Sequence, residues 1–243
     1  VCSSDLTLTT AIIGPTGSGK STVARLMLRL LDATDGRVLL HGRNVKDMTQ
    51  HELREHIAYV PQKAWLFSGT IADNLRYGNP DATEEEMWHA LDIAQSGFVR
   101  ELPLGLNTRV AQGGTNFSGG QRQRLAIARA LTRKADLYIF DDSFSALDFA
   151  TDAALRKALA VEVKDSAMLI IAQRVSTIVH ADQIIVLEDG HLKGRGTHEE
   201  LMRTCATYQD IARSQMRAED LAEFEARAAA DASAAEAGKE ETR

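Results

Sequence analysis

The sequence predicts an α/β fold in which a mostly parallel β-sheet is flanked by helices. Three observations support this class. Short apolar runs alternate with helical patterns, a glycine-rich loop joins the first run to a helix, and a helix-rich stretch at about 70–135 interrupts the alternation. Because that stretch lies between two groups of apolar runs, we expect a helical subdomain inserted into the sheet domain.

Each element follows from a local pattern. Short apolar runs predict buried strands at residues 10–13, 37–40, 57–60, 137–140, 168–172 and 184–187. The residues after the first run predict a helix at 21–31. A threonine followed three residues later by glutamate is a capping box, and this pattern predicts helix starts at Thr49, Thr83 and Thr197.

The composition is that of an ordinary globular domain, with 243 residues, 44% of them hydrophobic and 26% charged. No apolar stretch approaches the roughly 20 residues that a membrane-spanning helix needs. The net charge of −6 does not favour nucleic acid, so we expect no nucleic-acid partner. Two cysteines show no disulfide pattern, and the histidines show no zinc-ligand spacing.

The two ends of the chain differ from its middle. Residues 1–6 resemble the translation of a common sequencing-adapter end, and we interpret them as an assembly artefact with the natural gene continuing upstream. Residues 7–216 form the predicted domain. Residues 217–243 are acidic and rich in alanine and glutamate, which predicts a partly disordered tail.

A phosphate-binding loop follows the first predicted strand. It matches G-x-x-x-x-G-K-[ST] between a strand and a helix, the context this motif requires, and comprises Gly14, Pro15, Thr16, Gly17, Ser18, Gly19, Lys20 and Ser21, with Thr22 adjoining. Glycines let backbone N–H groups face phosphate oxygens, and Lys20 adds charge for the β- and γ-phosphates. The Ser21 hydroxyl is suited to bind Mg²⁺. The loop therefore predicts ATP and Mg²⁺ as cofactors.

Two further segments carry phosphate chemistry. The apolar run 137–140 is followed by Asp141, which places a carboxylate at the carboxyl end of a buried strand, where Mg²⁺-bound water is usually held. Ser118 precedes a helical pattern at 123–131 and is its expected N-cap. Gly119 and Gly120 would then expose the first N–H groups of that helix toward an anion.

Together these motifs resemble the nucleotide-binding domains of ATP-binding cassette (ABC) transporters. The signature segment, Ser118-Gly119-Gly120-Gln121, matches the family's signature motif, with Phe117 where leucine is commoner. Val60-Pro61-Gln62 matches the glutamine loop, and residues 145–148 match the loop after the second acidic motif. The resemblance covers about residues 10–208 and implies the ABC ATPase form of the P-loop NTPase fold.

The segment 65–75 resembles the exporter branch of the family, whose members usually carry a membrane domain in the same chain. We therefore expect a membrane domain upstream and a location at the cytoplasmic face of a bacterial inner membrane. The family's first strands and its adenine-stacking aromatic residue lie upstream of the phosphate loop, and we expect this chain to lack them.

The resemblance also implies roles for individual residues. Gln62 would contact Mg²⁺ and relay to the membrane domain, and Asp141 would support the metal together with Ser21. Family members hold two ATP molecules head to tail between two subunits. The signature segment and Asp148 would therefore contact the nucleotide held by the opposite subunit.

Two residues depart from the pattern of hydrolytic members, in which glutamate follows Asp141 and polarises water, and histidine contacts the γ-phosphate. Asp142 stands at the first position and is one methylene shorter than glutamate. Gln173 stands at the second; it can donate a hydrogen bond but does not titrate near neutral pH. With Lys20 these are the candidate catalytic residues. We expect ATP binding to persist and turnover at this site to fall.

A chain that combines these two departures with an intact signature segment resembles the degenerate half of a heterodimeric exporter. The predicted partner is a second half-transporter that carries glutamate and histidine. One alternative is a homodimeric exporter that hydrolyses slowly with aspartate. Another is a non-transport ATPase of the same fold. Chromosome-type members of that class carry a long coiled coil between the phosphate loop and the signature segment, and the sequence shows no sustained heptad repeat in this interval.

Overall fold

The computed structural model describes residues 8–215. Within them the strands are β1 (Thr9–Ile13), β2 (Leu39–Leu40), β3 (Arg43–Asn44), β4 (Ile57–Val60), β5 (Gly69–Thr70), β6 (Arg109–Val110), β7 (Leu137–Asp141), β8 (Ala167–Ile171), β9 (Gln183–Glu188) and β10 (His191–Gly196). The predicted artefact at 1–6 and the predicted tail at 217–243 lie outside the described residues.

The helices alternate with these strands as the sequence predicts. They are α1 (Lys20–Met27), α2 (Gln50–His56), α3 (Ile71–Arg76), α4 (Glu84–Ile93), α5 (Phe98–Glu101), α6 (Gly119–Leu131), α7 (Phe149–Glu162), α8 (Val175–Ile178), α9 (His198–Thr204) and α10 (Ala206–Gln215). None of the helices within residues 8–215 is both long and apolar enough to cross a membrane.

A six-stranded sheet organises the domain, in the order β10-β9-β1-β8-β7-β4. All neighbours run parallel except β10, which pairs antiparallel with β9. Since β1, β7, β8 and β4 are parallel, the loops that follow them meet at one edge of the sheet. This confirms the predicted mostly parallel α/β sheet.

The sheet separates two hydrophobic cores because successive strand residues point to opposite faces. In β1, Ile12 packs into the core that α1 and α2 cover, whereas Ala11 and Ile13 face the larger core beneath the other helices. Strand β7 alternates in the same way, with Ile139 on the first side and Phe140 on the second. Burial on both faces explains why these strands read as continuous apolar runs.

The predicted helical subdomain is present between β4 and β7. Helices α3, α4, α5 and α6 occupy this interval, together with the short antiparallel pair β5–β6. Helix α6 contacts α3, α4 and strand β4, so the subdomain packs directly on the sheet edge. The side chains of Leu75, Leu91 and Leu125 are buried within the larger core.

The capping boxes predicted at Thr49, Thr83 and Thr197 are confirmed, since each threonine oxygen accepts the expected backbone N–H bond and each glutamate bonds back. Ser118 forms the same box with Gln121. A further box at Thr70 opens α3 and was not predicted, because aspartate rather than glutamate stands three residues later.

Two predicted boundaries were wrong. Helix α1 ends at Met27 rather than residue 31, because Arg29 adopts φ 50°, a left-handed conformation that stops a helix. The predicted strand 37–40 is shortened to Leu39–Leu40. It turns through His41 and Gly42, both with positive φ, into β3, which is the geometry of a tight hairpin.

Candidate nucleotide-binding site

The phosphate loop connects β1 to α1 with the backbone geometry that phosphate binding requires. Gly17 and Gly19 have φ of 84° and 94°, a region that side chains other than glycine rarely occupy. A Cβ on Gly14 would lie 1.9 Å from the Leu187 carbonyl oxygen, so only glycine fits there. No side chain caps the first N–H groups of α1, which leaves them available for an anion.

The Lys20 ammonium lies inside this loop. Its Nζ donates 2.8 Å hydrogen bonds to the Gly14 and Pro15 carbonyl oxygens and a 3.4 Å bond to the Ser18 hydroxyl. Burial lowers the pKa of Lys20, and the carboxylates of Asp142 and Asp141 oppose that shift. The loop therefore holds a positive charge in contact with its own backbone, as a phosphate site needs.

Oxygen ligands for a divalent cation converge beside the loop. The Ser21 hydroxyl donates to Asp141 Oδ1 at 3.1 Å, and the Tyr59 hydroxyl donates to Asp141 Oδ2 at 3.2 Å. Burial together with the Asp141 carboxylate raises the pKa of Tyr59 to about 12, so its hydroxyl stays protonated. Hydroxyl and carboxylate oxygens are the donors Mg²⁺ prefers, and the residues present fit this ion.

Asp142 binds both neighbouring glutamines through one oxygen. Gln62 Nε2 donates to Asp142 Oδ2 at 2.9 Å, and Gln173 Nε2 donates to the same atom at 2.8 Å. The Asp142 backbone has φ 48°, a left-handed conformation that aspartate tolerates better than most residues. Burial and the adjacent Asp141 raise the pKa of Asp142, whereas the bond from Gln62 opposes the shift.

The loop that carries Gln173 is fixed from behind by α10. Gln215 Nε2 donates to the Gln173 carbonyl oxygen at 2.7 Å, and Gln215 Oε1 accepts from the Val175 N–H at 2.8 Å. One amide side chain thus bonds the backbone on both sides of Arg174. These two bonds couple the position of Gln173 to the last described helix.

These groups line one cleft of about 290 Å³ at the carboxyl edge of the sheet. Its lining residues are Thr16, Gly17, Gly19, Lys20, Ser21, Thr22, Gln62, Asp141, Asp142, Ile171 and Gln173. The remaining loop residues Gly14, Pro15 and Ser18 lie beneath this lining, where they contact Lys20. The cleft brings together the Lys20 ammonium, the loop backbone, the Asp141 and Asp142 carboxylates and two amide side chains, a set of groups suited to a nucleoside triphosphate with a divalent cation.

The signature segment and Asp148 lie outside that cleft. Ser118 Oγ accepts the Gln121 N–H at 3.2 Å as the N-cap of α6. Asp148 caps α7 and accepts from the Thr151 backbone at 3.0 Å. A Cβ on Gly120 would lie 3.3 Å from the Ala146 carbonyl oxygen, so signature segment and loop 145–148 adjoin each other. The structure therefore does not bring them to the same nucleotide as the phosphate loop.

Two residues of the site were missed by sequence reasoning. Tyr59 could have been found, since it precedes Gln62 at the carboxyl end of a predicted strand. No sequence pattern indicates that Gln215 belongs to the site, because it contacts the Gln173 loop from 42 residues away along the chain.

Comparisons with known proteins agree with this geometry. The sequence pattern of the family described as ABC transporter matches residues 7–145. An uncharacterized ABC transporter ATP-binding protein of Mycobacterium tuberculosis is 53% identical over 211 residues, which cover 85% of this chain and 36% of the relative. The ATP-dependent lipid A-core flippase of Photobacterium profundum is 44% identical over 209 residues, with the same coverage of 85% and 36%.

A solved structure described as a bacterial Atm1-family ABC exporter with ATP bound superposes with a TM-score of 0.83 at 37% identity. The match covers 86% of this chain and 37% of that one. The chain thus spans about a third of the length of the relatives it matches. By its sheet, its phosphate loop and these matches, the chain belongs to the ABC transporter family and carries the ATP-binding domain of that family.

Proposed function

We propose that this chain is the ATP-binding part of an ABC exporter, which binds Mg²⁺-ATP in a head-to-tail dimer to power transport across a membrane. The relatives named as a flippase and an exporter support the export assignment. In them this domain is about a third of the chain. We therefore propose a membrane domain as its partner and the cytoplasmic face of a bacterial inner membrane as its location.

The observation that carries the proposal is the convergence of the phosphate loop with Asp141 and Gln62 in one cleft. Backbone N–H groups of the loop and Lys20 would bind the phosphates, while Ser21, Asp141 and Gln62 would hold Mg²⁺. Held by these residues, Mg²⁺ would supply positive charge to neutralise the phosphates. Tyr59 keeps the Asp141 carboxylate oriented through its 3.2 Å hydrogen bond.

We propose further that this chain's own hydrolytic site is impaired. Asp142 is shorter than glutamate, and two amide donors already occupy its Oδ2 atom. Because both amides donate to Oδ2, of the two carboxylate oxygens Oδ1 keeps the greater capacity to accept a hydrogen bond from an attacking water. Gln173, in turn, supplies a neutral donor where a titratable group is typical of hydrolytic members.

The signature segment supports a division of labour with a partner. Its capping box is complete, and it lies with Asp148 on a surface apart from the cleft. Such a surface is suited to a nucleotide bound by another subunit. We propose that this subunit is a second half-transporter with glutamate and histidine at the two altered positions, so that the pair is a heterodimer.

The retained carboxylate of Asp142 favours one second candidate, a homodimeric exporter that hydrolyses ATP slowly. The two candidates differ in one measurement. A homodimer has ATPase activity without a second gene product, whereas the heterodimer half has almost none alone.

Equilibrium binding of a fluorescent ATP analogue with Mg²⁺ tests the ATP-binding part of the proposal. Lys20→Ala removes the charge within the loop, and we expect it to weaken binding at least about 10-fold, since hydrogen bonds to charged groups contribute about 1.5–3 kcal/mol each. Lys134→Ala is the matched control, because Lys134 is 90% exposed and forms a 3.7 Å pair with Glu86. Equal affinity of the two variants would show that this cleft does not bind ATP.

A further inference from the structure

A second group of possible metal ligands lies at the amino ends of the sheet's parallel strands, whereas the nucleotide cleft lies at their carboxyl ends. His41, His56 and Asp136 each present one ligand atom there, and all three atoms lie within 4.8 Å of one another. His56 ends α2 just before β4, and Asp136 immediately precedes β7, so both lie at the amino ends of parallel strands. The phosphate loop and Asp142 follow the carboxyl ends, about 15 Å away along strands of this length.

We propose that His41, His56 and Asp136 form a binding site for a transition-metal dication of the Zn²⁺ class. Both imidazoles direct a nitrogen at one carboxylate oxygen. His41 Nε2 lies 3.0 Å and His56 Nδ1 lies 2.6 Å from Asp136 Oδ2. A cation between these atoms replaces the protons that the rings share with the carboxylate.

The spacing of these atoms is close to that of a zinc shell. Zinc–nitrogen and zinc–oxygen distances are about 2.0–2.2 Å, so two ligand atoms of a tetrahedral site lie about 3.3 Å apart. The two observed separations must therefore widen by less than about 1 Å, which rotation of half-exposed rings can supply. The side chains of His41, His56 and Asp136 are 41%, 37% and 43% exposed, which leaves an entry path and room for coordinating water.

The scaffold holds the three ligands on separate elements. The Asp136 N–H donates to the His56 carbonyl oxygen at 3.0 Å, and the Asp136 carbonyl accepts from Ala167 N–H at 2.8 Å. His41 occupies the first position of the tight β2–β3 turn. A bound ion would therefore tie the hairpin, the end of α2 and the start of β7 together.

The ligand chemistry selects the class of ion. Two imidazoles and one carboxylate suit Zn²⁺, Ni²⁺ or Cu²⁺, whereas Mg²⁺ and Ca²⁺ prefer oxygen donors alone. The site is thus chemically distinct from the cleft, where Ser21 and Asp141 offer only oxygens. Excess Mg²⁺ should therefore compete with Zn²⁺ for the oxygens of the cleft and not for the histidines.

Calorimetric titration with Zn²⁺ in excess Mg²⁺ tests the proposal on the 243-residue chain carrying Cys2→Ser, which removes a thiol as a rival ligand. We expect one equivalent of Zn²⁺ to bind, and His41→Gln or His56→Gln to weaken it at least about 10-fold, the smallest loss typical of disturbing a metal shell. His51→Gln is the matched control, because His51 pairs at 3.2 Å with Glu55 alone on the same helix.

Thermal unfolding supplies an independent readout. At a fixed Zn²⁺ concentration, Zn²⁺ should raise the Tm of the parent chain and of His51→Gln more than that of His41→Gln, because stabilisation by a ligand falls as its Kd rises. Either of two results overturns the proposal: no Zn²⁺ binding to the parent chain, or equal affinity in parent and His41→Gln. The three residues would then be a hydrogen-bonded cluster only.

Discussion

Replacing the two cleft residues that depart from the pattern of hydrolytic family members, by Asp142→Glu with Gln173→His, is expected to raise ATP turnover at this chain's own site. In the present structure Asp142 Oδ2 lies within 2.9 Å of both glutamine amides. Glutamate places the carboxylate one methylene further from the backbone, and histidine removes one of the two amide donors. Both changes leave more of the carboxylate free to orient water.

The size of the expected rate gain follows from the one C–C bond that glutamate adds to the side chain. One methylene moves the carboxylate by about 1.5 Å, the length of a C–C bond. A misplacement of about 1 Å can cost about 10²-fold in rate, so the gain should lie between about 10-fold and 10²-fold. The gain carries a stability cost, because residue 142 has φ 48°. Glutamate tolerates this conformation less well than aspartate, and we expect a loss of about 1 kcal/mol.

Steady-state phosphate release from the assembled transporter measures the effect. The proposed partner should carry glutamine in place of its expected water-polarising glutamate, so that only this chain's site contributes. Asp142→Asn with Gln173→His is the control, since it keeps the size of residue 142 but removes its charge. An Asp142→Glu, Gln173→His variant no faster than this control would refute the reasoning.

Three other outcomes are expected. Gln215→Ala removes two hydrogen bonds to the loop after β8. Hydrogen exchange should show faster exchange of the Val175 N–H, which corresponds to a protection free energy lower by about 1 kcal/mol. Ser118→Ala removes the N-cap of α6, and chemical denaturation should show about 1 kcal/mol less stability, with Ser118→Thr close to the parent. Burial lowers the pKa of His198, whose ring is 2.8 Å from the Tyr208 hydroxyl. At pH values below 6.5, the ordinary pKa of histidine, the unfolded chain therefore binds more protons than the folded chain. The free energy of unfolding should fall as the pH drops below 6.5, and His198→Gln should make this dependence on pH less steep.

The sheet could be predicted from sequence because its strands are buried on both faces and therefore read as unbroken apolar runs. The run at 57–60 coincides with β4, the run at 137–140 ends one residue before β7 does, and the run at 168–172 is shifted by one residue from β8 at both ends. Capping boxes could also be predicted from sequence, because each side chain of a pair such as Thr83 and Glu86 accepts a hydrogen bond from the other residue's backbone N–H, three positions away. Local chemistry sufficed for these elements.

What sequence did not reveal depends on contacts between distant segments. The early end of α1 rests on the left-handed Arg29, whose guanidinium donates to the Met48 carbonyl oxygen at 2.6 Å. The clamp of Gln215 on the Gln173 loop spans 42 residues. The bond of Gln173 to Asp142 likewise joins residues that are 31 apart. No local pattern encodes such pairs, whereas most residues that line the phosphate cleft belong to motifs visible in the sequence, with Ile171 as an exception.

The proposed asymmetry of the two ATP sites is tested most directly by one pair of substitutions in the complete transporter that the proposal describes, a heterodimer. Glutamine in place of the partner's water-polarising glutamate should lower ATPase activity by at least about 10²-fold, the loss typical of removing a catalytic base. Asp142→Asn in this chain should cost only a few-fold, since on this proposal its own site contributes little turnover. Equal losses from the two substitutions would contradict the division of labour between the subunits.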